Sequence, residues 1–521
     1  MTRVNPQFDA PKGLARVAAS GAAWTTAQTI LNKVATLIAM YIIALQLSPD
    51  EFGMAVLTLS IVSFLVVLPP LAVSDLMILD QIDISERARF GQRLALRVGV
   101  ITTIAIVALS PIIASLYSKY SFGVLAGLIM VVSLRPTSEA FAVGPLSRLR
   151  VGSRYRAIAI IDGSAQFLAT LIMVSLAFLG AGALSLVLPQ VIAVAVRAIC
   201  YRLALPRDKR NSQDQDAIRS GTGMNGLTFR HLLALGSAQY IHNIMFSLPV
   251  LVLGYFASDI ETGYYGFAFQ FASQANGVIS CQLGIVLQPL FGKLKDDLAR
   301  QTSAFLRSVK AISAIIVPVT LLQAALAQPL FALLFKPEWQ PAYKIFVALS
   351  IVEAFSFAVA PTLALLKAQE KFRTFFFWQI TQFIVSLVAF SFAAIYVGGF
   401  GVAVVGAIVW GISLSIAVWL GTREVGGTLW SAITLLMAPW ATALPLAGVA
   451  WLGWQLLEPF GKWGMGISLF LVGPIILVLS IFATRISQPQ TYAEFAPIVW
   501  RIVRVRLDAL KAKSAKREMS E

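Results

Sequence analysis

From residue 20 onward the chain alternates long apolar runs with short polar turns. The runs fall at 20–46, 52–72, 93–117, 121–144, 156–179, 182–205, 231–257, 263–290, 306–335, 341–366, 374–397, 401–421, 428–454 and 463–484. Each is near or above the ~20 residues that a helix needs to cross a bilayer. The apolar positions run on without the alternation a barrel strand would show, so the pattern predicts helices. The expected fold is an all-α polytopic membrane protein of about fourteen spans. Three polar stretches punctuate it: an N-tail at 1–19, a linker at 206–230 and a basic tail at 485–521.

Part of this pattern occurs twice. Ala27, Gln28, Ile30 and Asn32 match Ala238, Gln239, Ile241 and Asn243 at an offset of 211, and Ser48 and Gly53 match Ser258 and Gly263 at 210. Farther on, Pro111, Ala114, Leu116 and Tyr117 match Pro329, Ala332, Leu334 and Phe335 at 218. Arg150, Arg154, Tyr155 and Arg156 then match Lys367, Lys371, Phe372 and Arg373 at 217. Collinear matches with slowly drifting offsets read as a duplication. Residues 20–205 and 231–421 then form two lobes of six spans each, and 428–484 adds two helices beyond the repeat. An even number of spans makes the copies parallel, with a cavity between two lobes that rock about it.

Composition narrows the class. The chain has 521 residues, 58% hydrophobic and only 13% charged, against ~25% charged in a soluble domain. Its net charge of +16 sits in short loops and tails, so nucleic acid is not an expected partner. Cytoplasmic termini place about 34 of the 41 Lys and Arg residues on the cytoplasmic side, as the orientation rule requires. Two cysteines and two histidines support neither a disulfide framework nor a metal site. No phosphate-binding loop and no catalytic constellation stands in a soluble pocket, so an enzyme is not expected. No cofactor is expected, and the protein is read as a monomer.

Polar groups inside the spans are the candidate chemistry, because charge in a bilayer is costly and usually faces a cavity or a partner. Gln28 and Asn32 share a helix face, with Lys33 at its edge; Gln239, His242 and Asn243 occupy the matching places. Arg135 and Glu139 stand four apart, either as a self-neutralised pair or lining a cavity. Gln270, Gln274 and Gln379 suit sugar hydroxyls or join helices. Asp162 follows an Arg-rich loop, where a salt bridge is expected, and Arg197 is expected to reach toward the interface. Glu353 lacks a cation nearby in sequence and is the candidate ion-coupling group. The basic loops carrying Arg150, Arg154 and Arg156, and Lys367, Lys371 and Arg373, offer donors to an arriving diphosphate headgroup.

These stretches carry a resemblance. LQLSPDEFGMAVLTLS, YFASDIETGYYGFAFQFAS and ALLKAQEKFRTFFFWQ resemble segments of the Wzx-like polysaccharide-transport flippases, of the superfamily that includes the MATE exporters. Ser48 stands where that family usually has glycine. The resemblance implies transfer of an undecaprenyl-diphosphate-linked oligosaccharide from the cytoplasmic to the periplasmic leaflet of a bacterial inner membrane, for exopolysaccharide or O-antigen (lipopolysaccharide) export. It implies membrane lipids and a polysaccharide polymerase or export machinery as partners. The alternatives are a MATE-like ion-coupled multidrug exporter, which would need an acidic cavity, and a membrane-embedded glycosyltransferase, which would need larger external loops.

Overall fold

A computed structural model of the chain describes residues 31–66, 84–151, 154–205, 240–241, 244–274, 276–277, 287 and 290–487. The N-tail, the linker 206–230 and residues 488–521 lie outside the described residues. The helices are α1 (Leu31–Gln46), α2 (Pro49–Leu65), α3 (Ile84–Leu116), α4 (Phe122–Val132), α5 (Leu134–Val151), α6 (Tyr155–Phe178) and α7 (Leu184–Leu203). They continue as α8 (Ile244–Phe256), α9 (Asp259–Ala272), α10 (Leu298–Ala325), α11 (Ala327–Leu334), α12 (Ala342–Phe355) and α13 (Val359–Ala368). The last six are α14 (Phe372–Tyr396), α15 (Gly399–Thr422), α16 (Leu429–Met437), α17 (Trp440–Leu457), α18 (Gly461–Ile467) and α19 (Gly473–Ser487). No strand occurs among the described residues.

Nine helical stretches among the described residues are long and apolar enough to cross a membrane. The last of them, Leu429–Ser480, has 52 residues, enough for two crossings at ~20 each. The chain is a multi-pass membrane protein. Large apolar side chains such as Leu179, Tyr396, Phe392 and Leu456 stand exposed, which suits a surface bathed in lipid rather than water.

The chain forms two units. The first comprises Met1–Phe271, Phe335–Ile345 and Phe372–Val405; the second comprises Ala272–Leu334, Phe346–Lys371 and Gly406–Glu521. In the first, α3 packs on α5, α5 on α7 and α7 on α6, while α2 lies against α4 and α7. In the second, α10, α17 and α19 pack on one another around a core that includes Phe291, Phe305, Ile316, Phe357, Leu365 and Leu436.

Helix breaks have local causes. Pro136 lacks the N–H that would bond the Val132 carbonyl four residues earlier, and next to that carbonyl, at Ser133, the chain divides into α4 and α5. The Ser133 carbonyl is met by the Thr103 hydroxyl at 2.6 Å. Pro145, inside α5, likewise orphans the carbonyl of Phe141 four residues earlier. The Gln92 amide donates to that carbonyl at 3.2 Å, and its oxygen accepts from the Gly144 N–H at 3.0 Å. Gly144 permits the approach, since a Cβ there would lie 2.0 Å from the Gln92 oxygen. Gln92 thus partners both groups beside the proline. Gln92→Leu is expected to cost about 1–3 kcal/mol, read as a lowered thermal midpoint in detergent; an unchanged midpoint would refute this role.

The two copies of the repeat meet within the first unit. A Cβ on Gly53 would lie 2.2 Å from the Asp259 carbonyl oxygen, and one on Gly263 would lie 1.8 Å from that of Pro49. Pro49 and Asp259 differ by the same offset of 210 as the two glycines. Val56 faces Gly266, again 210 residues on. α2 and α9 thus cross backbone to backbone, each position meeting the mate of its partner. Phe52 and Phe267 stack edge to face beside the crossing, centroids 5.6 Å apart, and Trp339 closes on Phe267 at 4.3 Å.

The helix starts also match. Glu51 accepts from the Ser48 N–H at 3.2 Å, and Ser258 Oγ accepts from the Glu261 N–H at 3.1 Å. The Glu261 carboxylate then accepts the Gly399 N–H at 2.8 Å, placing an anion at the N-terminus of α15, where the helix dipole favours it.

Candidate functional site

In the first unit, Asn32 and Lys33 lie half-buried on α1. The Thr36 hydroxyl bonds the Asn32 carbonyl at 2.8 Å, so the Asn32 side chain is not consumed by that bond. Gln28, Gln239, His242 and Asn243 lie outside the described residues.

Arg135 and Glu139 follow the Ser133 break, on the first turns of α5. Arg135 Nε donates to Glu139 Oε1 at 2.8 Å, with side-chain exposures of 38% and 16%. The self-neutralised pair is therefore formed. It engages Nε, whereas a guanidinium carries five N–H donors in a fork that suits phosphate oxygens. Glu139 thus orients the guanidinium through Nε.

Asp162 accepts a hydrogen bond from the Tyr201 hydroxyl across α6 and α7. Arg197 and Arg150 lie within electrostatic reach of it, and Arg197 donates to the Ala193 carbonyl at 3.3 Å. Gln270 is exposed on α9, and Gln379 is buried on α14 at 1%.

The basic loop residues divide. Arg154 donates to the Ala204 carbonyl at 3.4 Å, just past α7. Its repeat mate Lys371 points to the Leu420 carbonyl at 3.5 Å near the end of α15 and pairs with Glu424 at 3.0 Å. Both place a cation at the carbonyl end of the last helix of their copy, where the dipole favours it. Their first task is therefore to fasten a loop to a helix end. Arg156 and Arg373 are exposed, and Arg150 and Lys367 half-buried.

The second unit holds Glu353, 6% exposed, two residues before α12 gives way to a 3₁₀ turn at Ser356–Ala358. Its carboxylate accepts from Asn276 Nδ2 at 2.9 Å and lies 3.1 Å from Ser356 Oγ. Gln274, 8% exposed, belongs to the same unit. Gln323 bonds the Ala272 carbonyl at 3.2 Å and Ser350 Oγ at 3.0 Å. A carboxylate beside an interrupted helix in a bilayer can exchange a proton or take a small cation. No cluster of three or more His, Cys, Asp or Glu occurs among the described residues. Sequence reasoning found Glu353 but missed Asn276 and Ser356. Asn276 is one of several polar residues in its stretch, with Ser273 and Gln274 just before it, and only a matched hydrophilic face on α12 could have singled it out.

Comparison with known proteins gives three results. A family model described as "Polysaccharide biosynthesis protein" matches residues 42–344. The succinoglycan biosynthesis transport protein ExoT of Rhizobium meliloti (strain 1021) is 23% identical over 375 residues, 70% of this chain and 73% of that one. Among solved structures, the lipid II flippase MurJ in an inward closed conformation aligns with a TM-score of 0.66 at 12% identity, covering 91% of this chain and 99% of MurJ. An inward-facing multidrug-resistance MATE transporter of the MOP superfamily aligns at 0.60 and 14% identity, covering 78% and 98%. The fold is that of the MurJ and MATE transporters.

Proposed function

The chain belongs to the polysaccharide biosynthesis protein family, and from that premise we propose that it carries an undecaprenyl-diphosphate-linked oligosaccharide from the cytoplasmic to the periplasmic leaflet of a bacterial inner membrane. The observation that carries this reading is the family match across residues 42–344 inside a fold like that of a lipid II flippase. The six-span lobes of the repeat rock about a cavity that shelters sugar and diphosphate, while the lipid tail stays in the bilayer. Both termini lie in the cytoplasm, where the basic loops receive the headgroup. Lys33 and Arg135 offset the diphosphate charge, and Asn32, Gln270 and Gln379 meet hydroxyls. Glu353 couples the cycle to an ion gradient. The chain performs no bond chemistry and hands its cargo to polymerase or export machinery.

The test is genetic and then biochemical. Deleting the gene, in a strain without a paralogue, is expected to remove the surface polysaccharide, and the chain supplied in trans to restore it. Normal polysaccharide after deletion rejects the reading. In vesicles, Glu353→Gln is expected to leave cargo binding intact and abolish stimulation by an imposed gradient; retained stimulation removes Glu353 from coupling. Glu353 equally favours a second reading, an ion-coupled drug exporter. That reading predicts altered drug susceptibility on overexpression, with polysaccharide unaffected by deletion.

A further inference from the structure

We infer that Lys119 is a latch that holds the seam between the two repeat copies shut at one end of the transport path. Lys119 lies in the turn between α3 and α4, within the first copy. Its ammonium donates to the Phe256 carbonyl at 2.8 Å and to the Ala257 carbonyl at 2.5 Å. Those are the terminal carbonyls of α8, in the second copy. A helix end has carbonyls without intrahelical partners and carries partial negative charge, so a lysine there is both a cap and a charge complement.

Aromatic rings seat the turn. Tyr117 packs edge-on to Tyr255 at 6.1 Å and to Tyr120 at 6.4 Å, and Tyr255 stands at 4.8 Å from Phe256. Lys119 supplies the charge of this contact. The offset of 218 at Tyr117 pairs Lys119 with Pro337, next to Lys336. Lys336 turns to Glu338 at 3.9 Å instead. The latch is therefore one-sided.

Two properties suit it to opening. Lys119 is exposed, so water replaces the two carbonyls at small cost when the turn lifts. The crossing it guards is built on the close backbone approach at Gly53 and Gly263, where no side chain stands between the two helices. That the seam opens at all rests on the two-lobe transport reading above.

The test uses the full chain with Cys200→Ser and Cys281→Ser and a reporter, Thr262→Cys. Thr262 is fully buried on α9 beside Gly263. Permeabilised membranes are treated with fluorescein maleimide and the labelling rate is measured without substrate. Lys119→Met is expected to raise the rate roughly tenfold, and Lys119→Arg, which keeps charged donors, to return it near the starting value. An unchanged rate in Lys119→Met overturns the latch. So does an equal rise at a control reporter, Thr362→Cys, buried in the second unit, because that reports general loosening. The readout needs no cargo, so a flat labelling ratio rejects the latch and leaves the export reading standing. Raised labelling in a strain whose polysaccharide is normal after gene deletion rejects the export reading and keeps the latch.

Discussion

Gly263→Ala is expected to destabilise the solubilised protein by about 1–3 kcal/mol and to cut polysaccharide output, although it adds a single methyl group. The added Cβ would sit 1.8 Å from the Pro49 carbonyl oxygen and 3.2 Å from the Gly53 nitrogen. Neither obstacle is a side chain that can rotate away. Helix α9 must shift bodily from α2, and the aromatic cluster of Phe52, Phe267 and Trp339 shifts with it. Gly53→Ala meets the reciprocal obstacle at Asp259 and is expected to behave alike. Gly127→Ala on α4 is the control, because nothing lies within 4 Å of its new Cβ. There alanine relieves the helix of a flexible residue and is neutral or mildly stabilising. Thermal unfolding of the three variants in one detergent decides the matter: equal midpoints for Gly263→Ala and Gly127→Ala would show that the crossing is not tight.

Arg135→Ala is expected to lower polysaccharide output about tenfold or more. Removing the guanidinium takes away charge-assisted bonds to the diphosphate, each of ~1.5–3 kcal/mol, and leaves Glu139 in the bilayer without its partner at 2.8 Å. Glu139→Gln separates the two effects. It keeps the cation, loosens its orientation, and is expected to cost only a few-fold. If the pair served packing alone, the double variant Arg135→Ala with Glu139→Ala would restore output, since removing both charges relieves the unpaired one. Cavity-facing recognition predicts that the double variant stays as poor as Arg135→Ala. Lys33→Ala is expected to fall with Arg135→Ala, by the same loss of cation. Polysaccharide per cell, normalised to protein in the membrane, measures all four.

The all-helical fold and several of the spans were legible because a bilayer demands long apolar helices and little else competes with that demand. The expected run at 156–179 became Tyr155–Phe178, and 401–421 became Gly399–Thr422. Breaks were harder. Pro136 and Pro145 stand in plain view, yet only α5 as folded shows one breaking the helix and the other patched by Gln92. Among the polar residues, Arg135 and Glu139 could be joined from their spacing, since four residues make one helical turn. Arg154 and Lys371 each reach the end of a helix about fifty positions away in sequence. Spacing carries no information about a partner that distant. The same holds for Asn276 and Glu353, which are 77 positions apart.

The crossing of α2 and α9 has a consequence for symmetry. Position 49 meets 263 and position 53 meets 259, so the contact is isologous, the same patch offered by both partners. A self-complementary patch of this kind is what a symmetric homodimer needs, and here one chain supplies both halves of it. In such a dimer a change in one half is imposed on the other, whereas in one chain the halves differ freely, as the lysines at 119 and 336 do. One reaches across to the other copy and the other stays at home, a division of labour that no symmetric dimer could have kept.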